Sequence, residues 1–376
     1  MPRSTADWTG TVRICLRARV GDLFQNHPMT QPTLNYETTD QSENRARRAI
    51  AKLLDIGGRL LALAAVFLFF WWTVPGNKFV TFVNFENILV QSAVYTMAGL
   101  GMTMIIIAGG IDLAAGSTIA LSVMVTALVL QHGGPNAPWF ITPLAIIGGA
   151  MAGMAVGALQ GTLITGLRVV PFIITLGGLV GIRGLAKNIV HDQEISPPPG
   201  WLYHHLMIRV QGKQFSWQLF PLGVWATQAA AVLAAAMLRY TRLGRHIYAI
   251  GSSEATARLC GIPVQRTKIA VYAIGGLFAG LAGVLEFSRN NYAQPTGAQM
   301  YELYVIAACV IGGASLRGGV GTIFGTVIGS LMIGVLYVGA EQSDWAKYTQ
   351  EEVIGATIVI AVAVDQLRNR KSRAAG

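Results

Sequence analysis

The chain runs to 376 residues, of which 53% are hydrophobic and only 12% charged, about half the charged share of an ordinary soluble domain. That balance excludes a water-soluble enzyme and defines an integral membrane protein. The net charge of +10 is no evidence for nucleic acid until the basic residues are sorted by side, because cytoplasmic loops collect Lys and Arg.

Residues 1–50 mix Arg, Thr, Asn, Asp and Gln with few large apolar groups, and they read as a polar, disordered cytoplasmic arm. The run Ile14 to Val20 is broken by Arg17 and Arg19, so the apolar core of a cleavable signal peptide is missing. Met29 opens a second polar leader, and residues 1–28 are either a disordered arm or lie upstream of the true start. Residues 51–370 form the membrane domain and 371–376 a short cytoplasmic tail. Predominantly apolar runs fall at 57–74, 88–108, 113–131, 141–165, 170–190, 219–239, 269–288, 302–316, 320–339 and 352–366. A helix needs about 20 residues to span a bilayer, which gives an all-α bundle of about ten transmembrane helices. Two of the runs, 113–131 and 302–316, fit equally as half-helices entering from one side. With both termini cytoplasmic, 21 of the 28 Lys and Arg fall inside: those up to Arg59, Arg168, the group from Arg239 to Lys268, Arg317, and Arg368 to Arg373. The basic excess is therefore topological, and no nucleic-acid partner is expected.

The first span ends in Trp71-Trp72 followed by Pro75-Gly76, an aromatic anchor and a helix stop at the outer interface. The second delivers the stretch on which the chain turns, Gly109-Gly110-Ile111-Asp112-Leu113-Ala114-Ala115-Gly116-Ser117, a polar break between uncharged runs. A carboxylate at membrane depth is costly and usually functional, and irregular backbone survives there only if buried in protein or lining a wet cavity. Two readings of Asp112 stand side by side: a residue of the translocation path, or a loop carboxylate capping the next helix. The span at 141–165 then carries Gly149, Gly153, Gly157 and Gly161 at intervals of four, a stripe that lets a neighbouring helix approach closely. Gly276 and Gly280, and Gly321, Gly325 and Gly329, repeat the device.

The outer loop from Asp192 to Gln218 holds three successive prolines and Trp201, Tyr203 and Trp217, which predicts an extended surface segment. On the opposite side, Ser252 or Ser253 caps a short helix with Glu254 in its first turn. Gly261 ends it in the left-handed conformation and Pro263 prevents its continuation. Ala255, Leu259 and Ile262 share one face of this cytoplasmic element, which is better specified than a plain loop and reads as a docking helix. Glu286 and Glu302 flank an outer loop near helix ends, where solvation or contact with an outside partner is expected. A weak internal repeat pairs the segment from Ile107 with that from Ile311, although glycine-rich apolar sequence produces similar matches by composition.

No catalytic set assembles: G-x-x-x-x-G-K-[ST], H-E-x-x-H and G-x-S-x-G are all absent. Cys15, Cys260 and Cys309 are far apart, and the six histidines are scattered, so neither a zinc site nor a disulfide framework is expected. The chain is expected to be no enzyme and to bind no cofactor directly; ATP, where it drives transport, is hydrolysed by another subunit.

The break at Gly109 to Ser117 resembles the Gly-Gly-Ile-Asp-Leu-Ser-x-Gly-Ser motif of ribose-type sugar ABC-transporter permeases. Gly244 to Ile262 is similar to the cytoplasmic loop with which that family docks on its ATPase, and Gly312 to Thr322 is a third match; together they cover about residues 50–370. The resemblance implies a type II importer-like bundle in the inner membrane, translocating a monosaccharide by alternating access. The partners it implies are two ATPase subunits, a periplasmic sugar-binding protein, a second permease copy or a sister permease, and membrane lipid. Asp112, Gly116 and Ser117 are expected on the translocation path, where Asp112 and Ser117 either hydrogen-bond a sugar or hold the break in shape; a neutral polyol needs only modest affinity there, so Thr103, Gln160 and Asn188 suffice as a sparse polar lining. Glu254, Ala255, Arg258, Leu259, Gly261 and Ile262 fall on the ATPase-coupling helix. Ala114 and Ala115 depart from the family pattern by removing a hydroxyl from the break, and Ser253 and Thr256 stand where Asn and Ala are usual. Two rivals remain, a proton-coupled secondary transporter working through Asp112 and an amino-acid ABC permease.

Overall fold

The helix at the centre of the molecule is Phe82–Ile107, and it is apolar on every side. Such a helix has no face to give to water and must be surrounded; nearly every residue from Ile88 to Ile107 is buried. In this computed structural model, residues 57–134, 138–198, 200–207 and 220–343 are described, with isolated positions as far as 359. The N-terminal arm, the outer-loop segment 208–219, most of the apolar run 352–366 and the C-terminal tail lie outside the described residues.

Helix α1 (Gly57–Thr73) stops before a 3-10 turn, Pro75–Val80, and leaves Trp72 86% exposed, as an interfacial anchor requires. Helix α2 (Phe82–Ile107) starts on Thr81, whose side chain accepts from the Asn84 N–H. It is followed by α3 (Ala115–Gly133), α4 (Ile141–Leu167) and α5 (Pro171–Ile189). Then come α6 (Leu222–Tyr240), the short pair α7 (Arg242–Ser252) and α8 (Glu254–Leu259), α9 (Val264–Asn290), α10 (Tyr301–Ile311) and α11 (Ile323–Gln342). Among the described residues seven helices are long and apolar enough to cross a membrane: α2, α3, α4, α5, α6, α9 and α11. The run 113–131 is a full 19-residue helix. The run 302–316, by contrast, is an 11-residue half-helix that gives way to a glycine-rich turn. One antiparallel bridge, Ile195 to Ala293, is the sole β pairing among the described residues.

The glycine stripes do what their spacing predicts. A Cβ at Gly153 would run into the backbone of Gly276 and Gly280, and one at Gly157 into the Tyr272 carbonyl. Helices α4 and α9 thus touch backbone to backbone. On the other side of α2, Gly325 and Gly329 meet the carbonyls of Gly312 and Ala308 in the same way.

The two glycine breaks share one geometry. Gly109 (φ +82) and Gly313 (φ +88) are left-handed. Each donates to the carbonyl three residues back, Ile106 or Val310, while the following N–H reaches five back, to Ile105 or Cys309. This is the Schellman stop, and the segments from Ile107 and Ile311 carry it in register. They also touch, Gly319 N–H donating to the Ile107 carbonyl at 2.8 Å.

Two expectations are corrected here. The outer loop is not extended throughout: Tyr203–Met207 makes a helical turn, Leu202, Leu206 and Met207 are buried, and Ser288 Oγ donates to the Leu202 carbonyl at 2.6 Å. Apolar side chains just after the prolines draw the segment back onto the bundle. Nor are Glu286 and Glu302 solvated, both being more than nine-tenths buried. Glu286 is held by Arg289 at 2.9 Å, Asn290 at 2.9 Å and Tyr301 at 3.2 Å, which compensates its charge.

Candidate functional site

The break between α2 and α3 is built from its own backbone outward. Asp112 is buried, and its Oδ1 accepts the Ala114 N–H at 2.9 Å, a local Asx turn. Ala114, not Asp112, occupies the N-cap position of α3. The capping reading is thus met by one oxygen in a turn rather than at the N-cap itself. Neighbouring helices fix the rest: Thr175 Oγ1 donates to the Ile111 carbonyl at 3.2 Å and Tyr272 OH to the same carbonyl at 3.5 Å. Ser117 Oγ donates to the Leu179 carbonyl at 2.7 Å. Ser117 therefore ties α3 to α5, and its hydroxyl proton is committed.

Gln160, from α4, comes within interaction range of Asp112 and packs against Gly178, where a Cβ would touch its Nε2. It is 3% exposed, and neither polar atom of its amide has a hydrogen-bond partner among the described residues. Glu302, at the first turn of α10, lies against Gly116: a Cβ there would collide with the carboxylate and with the Ala298 carbonyl. That steric fact explains the glycine. Glu302 Oε2 is also unpartnered, and the carboxylate feels the charges of Asp112 and Arg183. Arg183, on α5, donates to the Pro295 carbonyl at 3.2 Å and to that of Gly297. A buried polar group left without a partner costs about 1–3 kcal/mol, so this arrangement is not one that packing alone selects.

Of the expected path residues, Asp112, Gly116, Ser117 and Gln160 come together. Thr103 does not join them. It lies deep between α2, α10 and α11, donating to the Gly99 carbonyl at 2.7 Å and contacting Cys309 and Thr326. Asn188 is exposed near the far end of α5, about 20 Å along the helix from Thr175 at 1.5 Å per residue. Sequence reasoning missed Glu302, Arg183 and Tyr272; a charge inside or beside an apolar run was the available signal for the first two.

The second constellation is α7 and α8. Thr241 Oγ1 accepts the Gly244 N–H and opens α7. Ser253 ends that helix and opens α8 by accepting the Thr256 N–H at 3.3 Å. Gly261 (φ +78) closes α8, with Ile262 N–H donating to the Ala257 carbonyl at 3.1 Å. Ile250, Ala257 and Val264 form a small core of their own. Ile262 is partly buried against it, so it leaves the face it was expected to share; Ala255 and Leu259 remain exposed, Leu259 at 88%. Glu254 takes Lys268 at 2.6 Å and Arg258 at 3.0 Å. These partners, the Lys268 hydrogen bond foremost, hold its carboxyl below the usual 4.5. Helix α7, which the sequence reading did not separate from its surroundings, carries the module to the breaks. Gly251 sits so close that a Cβ would strike the Ile107 carbonyl, and Tyr248 OH donates to the Gly321 carbonyl at 2.8 Å. Among the described residues no group of three His, Cys, Asp or Glu side chains gathers as a metal site would require.

A bundle of long apolar helices, interrupted by paired glycine breaks with buried polar side chains between them, is the build of a multi-pass membrane transport protein. The chain belongs to the family described as the branched-chain amino acid transport system / permease component, whose model matches residues 84–362. It is 38% identical over 295 residues to the ribose import permease protein of Escherichia coli strain K12, covering 77% of this chain and 87% of that one. To the D-allose transport system permease protein of the same strain it is 34% identical over 338 residues, covering 89% and 99%. To the galactose/methyl galactoside import permease protein of Haemophilus influenzae it is 33% identical over 303 residues, covering 78% and 90%. No solved structure matches the chain.

Proposed function

We propose that this protein is the inner-membrane permease subunit of an ATP-binding-cassette importer for a monosaccharide. The observation that carries the reading is the seating of α7 and α8. A capped helix with an exposed leucine stands clear of the bundle on one side, while on the other its partner presses Gly251 onto the Ile107 carbonyl. A subunit that binds the exposed face and moves it acts directly on the break that carries Asp112. ATP is hydrolysed by that subunit, and the permease itself has no enzymatic role and binds no cofactor directly. The distribution of basic residues supports a topology with α7, α8 and both termini on the cytoplasmic side. A periplasmic sugar-binding protein delivers substrate to the opposite mouth, and a second permease copy or a sister permease completes the path within the lipid bilayer. Relatives at 33–38% identity named for ribose import, D-allose transport and galactose/methyl galactoside import favour a sugar over the amino acid in the family's description.

Uptake of radiolabelled monosaccharide into vesicles holding the permease, its ATPase and binding protein tests this. Uptake should require ATP and persist when an ionophore collapses the proton gradient. The proton-coupled reading, which draws on the two neighbouring buried carboxylates Asp112 and Glu302, predicts the reverse. Asp112→Asn sharpens the distinction: a proton-coupled carrier loses its pH dependence, whereas the proposed importer keeps its ATP dependence at a reduced rate.

A further inference from the structure

We propose that Asp112, Gln160 and Glu302 form a hydroxyl-recognition site for a neutral polyol at the α2–α3 break, with Glu302 the residue that sets its specificity. This rests on the permease reading above and assigns its chemistry. Three side chains from three separate parts of the chain, each more than nine-tenths buried, converge there. Gln160 offers an amide N–H and an amide carbonyl, both without partners, and Glu302 offers a free carboxylate oxygen. Asp112 stands beside them, its Oδ1 taken by Ala114 N–H and its carboxylate within reach of the Gln160 amide. Such a set presents two anionic acceptors and one group that both gives and takes. Adjacent hydroxyls, each a donor and an acceptor, match it. The single Arg183 guanidinium, which acts on Glu302 while donating to the Pro295 and Gly297 carbonyls, is outnumbered by the two carboxylates, which disfavour an anion. Gly110, Gly116 and Gly178 keep the polar atoms within reach of one another: a Cβ at these positions would meet Tyr272 OH, Glu302 Oε2 and Gln160 Nε2 respectively.

The test uses the complete transporter in vesicles, with radiolabelled ribose, xylose, galactose and allose as probes, then deoxy analogues of whichever sugar is moved. The native protein should prefer the parent sugar over at least one deoxy analogue by at least about tenfold, the loss expected when one buried polar group is left without its hydroxyl partner. Glu302→Gln should erase that preference and lower uptake by about tenfold while still co-purifying with the ATPase. Gln160→Leu removes an unpartnered buried amide at similar volume, so it should lower uptake while leaving the melting temperature unchanged or raised. Native discrimination retained in Glu302→Gln, or normal uptake by a folded Gln160→Leu, overturns the site and leaves the permease reading intact. Native vesicles that move no monosaccharide with ATP overturn the permease reading, and with it the ligand class assigned here. Uptake driven by a proton gradient and abolished by Glu302→Gln makes the carboxylate pair a proton relay and likewise overturns the proposal.

Discussion

Single residues at the breaks are fixed by contacts too close to show in local sequence. Gly251 looks like any glycine near a helix end, yet its neighbours are the Ile107 carbonyl and the Gly319 N–H. Gly251→Val should push α7 off the break. Binding of the ATPase should survive, since the exposed face of α8 is untouched, while ATP hydrolysis no longer drives uptake; paired hydrolysis and uptake assays on one preparation measure this. Asp112 was legible because a charge between uncharged runs announces itself. Glu302 was not: its neighbours Gly116 and Arg183 lie on other helices, and only packing brings them together. Position near a helix end made solvation the natural expectation, and burial overrode it. Thr103 and Asn188 show the converse, since polar residues on apolar helices satisfy themselves against a carbonyl or face outward and carry no label saying which.

Elements were more legible than residues. Glycines four apart on 141–165 marked a close helix contact, and α4 meets α9 there. Gly153→Val should force the pair apart and cost at least about 1–3 kcal/mol, the usual range for overpacking, seen as a lower melting temperature in detergent. The half-helix α10, 11 residues long, was one of the alternatives left open for 302–316, whereas α7, also 11 residues, was not separated from its arginine-rich surroundings. The link from α8 to α9 carries a pH signature. Because the Glu254 carboxyl sits below its ordinary 4.5 in the folded protein, its contribution is complete at neutral pH and is lost as pH falls through that lowered value. A spin label on the exposed Cys260, with Cys15 replaced by Ser, should keep the same mobility from pH 8 to 5 and loosen only in acid below 4.5. Lys268→Met should loosen it already at neutral pH.

At the scale of the whole molecule, the α7–α8 module, the paired Schellman stops and the polar break are joined end to end. Gly251 touches Ile107 and Gly319, Ile107 leads to Asp112, and α9 runs from the Lys268 clamp past Tyr272 to the buried Glu286 cluster. Movement imposed on α8 therefore has two rigid routes inward, one through α7 and one through α9. Composition and motif order made the class of protein readable from the sequence. The routes required the fold, because each joins segments far apart in the chain. Glu254 is spent on the clamp within the chain, which makes Leu259 the sharper probe of docking. The measurement that bears most directly on the account is co-expression with a sugar-importer ATPase and purification through the permease, native chain against Leu259→Asp. The ATPase should come with the native chain and be lost from the variant, while the variant's melting temperature stays unchanged. An ATPase retained equally by both, or by neither despite its driving uptake in cells, would contradict the assignment of α8 as the coupling element.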